Sequence, residues 1–162
     1  MAAAGNTELG HEGFMSADDL RAYMTDMEMA KASKAVQAMD SAEKARLELV
    51  KRLSEPLNLT PEVLQGVKTS LLARLKKAAE NGETELMVMR FPVALCSDHG
   101  RAINNSDPDW PDSLEGRPRQ AYELWRDHLR GAGFRLKAMI IEWPGGLPGD
   151  VGFFLNWGKP RV

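Results

Sequence analysis

"FRLKAMIIEWPGGLPGDVGFFLNW", residues 134–157, decides the fold class. In its first part Phe134, Leu136, Ala138 and Ile140 alternate with Arg135, Lys137, Met139, Ile141 and Trp143, as in an extended chain with an apolar and a mixed face. "DVGFFLNW" is again rich in aromatic and branched residues. Between the two, "PGGLPGD" supplies Gly and Pro in the density that hairpin turns require. The stretch therefore predicts two strands joined as a hairpin.

Upstream, "TELMVMRF" before Pro92 predicts another strand, and "RQAYELWRDHLRGAGF" a helix. Ala121, Leu124, Trp125, His128 and Leu129 share the inner face of that helix, with Gly131 and Gly133 closing it. The order is β-α-β-β over residues 83–159, an α+β unit with a small three-stranded sheet.

Residues 16–81 predict a helical region of about three helices. Ser16 is placed to cap the first, with Asp18 and Asp19 at its positive end. Leu20, Tyr23, Met24 and Met27 share one face, while Met29, Ala32, Val36 and Met39 lie roughly opposite. A helix apolar on two sides meets two partners or breaks where the stripe shifts. "DSAE" at 40–43 resembles a capping box and predicts a second start, followed by the face Ala42, Ala45, Leu49 and Leu53. The third helix begins at Thr60 and Pro61, carries Leu64, Val67, Leu71, Leu75 and Ala78 in one stripe, and stops at Asn81 and Gly82. That stop is the expected seam between the two parts. Residues 1–15, small and polar without a period, predict a disordered tail.

The chain has 162 residues, with 21 Lys and Arg against 23 Asp and Glu, a formal net charge of −2. No global field therefore draws it to nucleic acid or anionic lipid. A single cysteine excludes an intrachain disulfide and fits a reducing compartment. With no signal-like start and no long apolar run, the expectation is a cytoplasmic protein with no membrane partner.

The segment "LCSDHGRAINNSDPDWPDS", residues 95–113, carries Cys96, Asp98, His99 and Arg101. Thiol chemistry at Cys96 with His99 or His128 as base is possible in kind, and so is metal ligation. The spacing does not place these groups face to face, and one cysteine makes no paired-ligand site. The expectation is no metal and no cofactor, with Cys96 a small buried hydrophobe and "SDHG" a capped turn. His128, on an apolar helix face, predicts a hydrogen-bonded core histidine.

Positive charge clusters locally. Arg117, Arg119, Arg126 and Arg130 precede Arg135 and Lys137, with Arg101 and Trp143 nearby in sequence. A strand face mixing these with aromatics would hold an anionic partner by charge and stacking, joined by Arg90 and Asn156 if register allows. No nucleic-acid motif accompanies it.

The expectation is thus a bacterial-type, non-enzymatic regulatory or adaptor protein that binds a protein or anionic partner through an Arg and aromatic surface, and a homodimer formed by its N-terminal helices. The alternatives are a small hydrolase or transferase with its site in residues 96–107, and a nucleic-acid-binding module.

Overall fold

The computed structural model describes residues 15–159. Apart from Met15, the tail expected over residues 1–15 lies outside them. The chain forms two compact units, Met1–Ala45 and Arg46–Val162.

Helix α1, Ala17–Ser54, spans that division. Ser16 caps it, its hydroxyl oxygen accepting from the Asp19 amide at 3.0 Å. The second start expected at Asp40 is not used, because the helix runs through it. An Asp inside a helix costs only a few tenths of a kcal/mol, about 0.7 at most. A break would forfeit several backbone hydrogen bonds and require a second nucleation. The two predicted helices are therefore one, and none of its residues is buried.

In the second unit the last turns of α1 supply Val50 and Leu53 to the core. Gln120 fixes the following turn from both sides, accepting from the Leu57 amide at 2.9 Å and donating to the Leu57 carbonyl at 2.8 Å. Helix α2, Pro61–Glu80, starts where expected, with the Thr60 hydroxyl accepting from the Val63 amide. It ends at Asn81 and at Gly82 with φ +78°. Of its stripe only Leu75 and Ala78 are buried. Asn81–Gly82 is a helix-to-strand turn inside this unit.

The sheet is antiparallel, in the order β1 (Glu85–Pro92), β3 (Asp150–Asn156), β2 (Arg135–Glu142). Phe91 pairs with Val151, Met89 with Phe153, Ala138 with Phe153 and Ile140 with Val151. The register shifts at Val88 and at Ile141, two bulges that let each edge strand carry an extra residue.

On the inner face Phe91, Val151 and Phe153 are closed to solvent, with Ile140 beside them. The Phe91 and Phe153 rings meet edge to face at 4.9 Å, and Trp110 reaches Phe153 at 5.8 Å. Residues 93–115 complete this core with Val93, Leu95, Cys96, Ile103 and Leu114. Within them lie one α-helical turn, α3 (Arg101–Asn104), and tighter 3-10 turns at Val93–Leu95 and Trp110–Ser113. Helix α4, Gly116–Leu124, passes without interruption into a wider π-type turn at Trp125–Leu129 and then a tight turn at Arg130–Ala132. Gly133, at φ +96°, ends it. The architecture is α+β.

Candidate ligand-binding cleft

Residues 95–113 form an ordered connection. Cys96 bridges to Leu114, the Ser97 amide donates to the Ser113 carbonyl at 2.7 Å, and the Glu115 amide donates to the Leu95 carbonyl at 2.9 Å. Asp98 holds the turn that follows, its two carboxylate oxygens accepting from the Gly100 and Ala102 amides at 3.0 and 2.9 Å. Both acceptor atoms are thus spent on backbone, while His99 and Arg101 point to solvent.

Cys96 is 1 % exposed. Burial first, and the charge of Asp98 second, push its thiol up from the ordinary 9.0 to about 12. A protonated, enclosed thiol is a poor nucleophile. At about pH 8 a disulfide reagent is expected to label the native protein roughly 100-fold more slowly than the denatured chain. Because the folded chain keeps its proton above pH 9.0, where the unfolded thiol loses it, stability should fall as pH rises from there toward about 12. Equal labelling rates in both states would remove this placement. Among the described residues no group of three or more His, Cys, Asp and Glu is arranged to hold a metal ion.

The Arg-rich stretch gathers only in part: Arg130 and Arg135 line one shallow pocket with Trp125 and Phe134, and the other cations lie apart from it. Arg135 and Lys137 stand on the outer face of the sheet, where the register brings Asn156 opposite Arg135 and Gly152 opposite Arg90. Carboxylates answer these cations: Lys137 meets Glu85 at 3.0 Å, and Arg90 meets Asp150 at 2.8 Å as well as Glu142. Arg135 is bound to Asn156 and to the Gly158 carbonyl. The other arginines belong to the helical side. Arg117 donates to the Glu55 carbonyl and Arg119 to the Pro111 carbonyl. Arg130 lies over the Trp125 ring, and the hydrogen bond from Arg126 holds the Asp127 carboxyl below its usual range. Trp143 stands at the hairpin, 47 % exposed.

An open site lies on the other face. Helix α2, helix α4 with its π-type turn, and the inner side of the sheet enclose a cleft of about 560 Å³. Val63, Leu64, Val67 and Leu71 form one wall, and Leu124, Trp125 and Leu129 the second. Val88, Met89, Leu136, Phe153 and Leu155 form the floor. The upper half of the α2 stripe thus faces this space instead of a packed core.

The ionisable lining groups are Lys68, Arg74 and His128, and no lining residue is an Asp or Glu. Arg74 also donates to the Met87 carbonyl at 2.8 Å, covering the open edge of β1. His128 keeps its predicted direction but is exposed at the cleft. The reading of it as a core histidine is corrected: the widened turn and the unfilled cleft leave it in reach of solvent. Gly66 lies on the α2 wall, and a methyl group built there would meet nothing within 4 Å. An interior helix glycine costs roughly 0.5–1 kcal/mol relative to alanine, so this one is not explained by packing.

The chain matches no family model, no curated protein and no solved structure. The cleft itself therefore carries the functional argument. Lys68 and Arg74 carry no site signal in the sequence, since α2 reads as an ordinary packing helix. Gly66, in the middle of that helix, is the one sequence signal that marks its wall.

Proposed function

We propose that this is a non-enzymatic regulatory or adaptor protein that binds an amphiphile, with an apolar body and an anionic end, in the cleft between α2, α4 and the sheet. The observation that carries this reading is an apolar space of about 560 Å³ whose ionisable lining is cationic or histidine only, in a chain with more acids than bases. That volume is in the range of small-molecule sites. An acyl or aryl body gains by leaving water for the Leu and Val walls. A carboxylate, sulfonate or phosphate end then meets Lys68 at the cleft, which has no lining acid, while beyond His128 the adjoining hollow adds Glu123 and Asp127 beside Arg126. This keeps the anionic partner expected from the sequence and moves its site from the outer sheet face to the cleft.

The test uses dodecanoate against dodecyltrimethylammonium, equal in chain length and opposite in charge. Amide NMR shifts at Val67, Leu71, Leu124, Trp125 and Leu136 are expected with dodecanoate, at an affinity at least about tenfold tighter than the cation's. Gly66→Leu should abolish the difference by projecting a side chain into the cleft. It should also raise the melting temperature of the free protein, because leucine is the better helix former. Equal binding of both chains, or shifts confined to the outer sheet face, would overturn the proposal.

A further inference from the structure

From the continuity of α1 we infer that residues 20–45 pair antiparallel with the same segment of a second copy of this chain. In one unbroken helix, Leu20, Met24, Met27, Lys31, Ala35, Ala38, Ala42 and Ala45 follow in steps of three or four. At 3.6 residues per turn they fall within about 80° of one another. The stripe through Leu20, Met24 and Met27 and the one through Ala42 and Ala45, read from the sequence as faces of separate helices, are thus one seam. Its apolar members are open to solvent, with Leu20 49 %, Met24 55 % and Met27 44 % exposed.

The seam is graded by size. Its first half carries Leu, Met, Met and Lys, and its second half four alanines. Two parallel copies would oppose large with large and alanine with alanine, so the helices could not stay equidistant and remain in contact. They would also face Lys31 with Lys31, a like-charge pair inside an apolar interface. Antiparallel copies lay each large half on the partner's small half. An antiparallel register centred between Lys34 and Ala35 brings Met24 across from Ala45, Met27 from Ala42 and Lys31 from Ala38, the two successive steps of four around Lys31 being a stutter in the heptad. The Lys31 stem then crosses an alanine and its ammonium reaches water. Methionine adapts its shape to such gaps, and opposed helix dipoles add to the preference. The opposite row, Met29, Ala32, Val36 and Met39, is bounded by Thr25 and Glu43, and its antiparallel pairing would still set Met29 against Met39, large against large.

The 162-residue chain should sediment as a dimer, at twice its 18.0 kDa, at about 100 μM chain. Direction is read with variants carrying one added cysteine, since Cys96 is enclosed and does not compete. Mixed Met27→Cys and Ala42→Cys proteins should form a cross-linked heterodimer at least tenfold in excess of either homodisulfide. Ala42→Glu should yield monomer with unchanged far-ultraviolet helix signal, because glutamate suits a helix but not the seam. A monomer at this concentration, a mass above dimer, or predominance of the homodisulfides would overturn the inference.

Discussion

Phe153→Ala is expected to destabilise the Arg46–Val162 unit by about 3–5 kcal/mol, the cost of emptying a buried aromatic position. Phe153 lies on the central strand, 1 % exposed, and pairs with both Met89 and Ala138. Its ring meets Phe91 at 4.9 Å and Trp110 at 5.8 Å, so its removal takes a partner from each, although Trp110 keeps Tyr122 at 5.7 Å. The hole cannot close easily, because strand pairing on both sides holds the backbone in place. A loss of this size is a large share of an ordinary domain's stability. Urea unfolding followed by tryptophan fluorescence should show a lower midpoint at unchanged slope, Trp110 being the reporter nearest the change. A loss below about 1 kcal/mol would mean that the two rings do not form the centre of the core.

Gly116→Ala is expected to cost about 2–5 kcal/mol for one methyl group. Gly116 begins α4 at φ +58°, a conformation that alanine adopts only with strain. The added carbon would also lie 2.3 Å from the Leu53 carbonyl oxygen and 2.7 Å from the Ser54 Cα. Backbone atoms, not a pliable side chain, stand in the way, so the end of α1 and the start of α4 must separate. That movement would strain the Arg117 hydrogen bond to Glu55 and the paired hydrogen bonds between Gln120 and Leu57. Hydrogen exchange at Leu57 would report the loosening directly. Gly131→Ala, where nothing lies within 4 Å and φ is not positive, should stay within about 0.5 kcal/mol of the parent.

What could be read from residues alone divides by the range of the forces involved. The strands around Leu136 and Phe153, the Thr60–Pro61 start of α2 and the Gly133 stop are local effects of alternation, capping and backbone freedom, and they appear where expected. Asp40 shows the limit of that approach, since a cap signal decides an end only when the helix gains little by continuing. The widened turn at Trp125–Leu129 leaves no compositional mark. Its single extra residue changes which side chains fill the space beneath α4. The site depended on such non-local facts. Arg135 and Arg126 are close in sequence but belong to a sheet face and a helix, whereas Lys68 and His128 are far apart and line one cleft.

The strand order has a consequence for synthesis. The central strand, Asp150–Asn156, is the last of the three to be made, and each of the other two pairs only with it. While a ribosome is still adding residues before Asp150, Glu85–Pro92 and Arg135–Glu142 exist without any ladder to join. Phe91, closed in the finished core, has no strand to pair with until Asp150–Asn156 has followed it. Delay at that stage, rather than any weakness of the finished sheet, is where this protein would depend most on a chaperone.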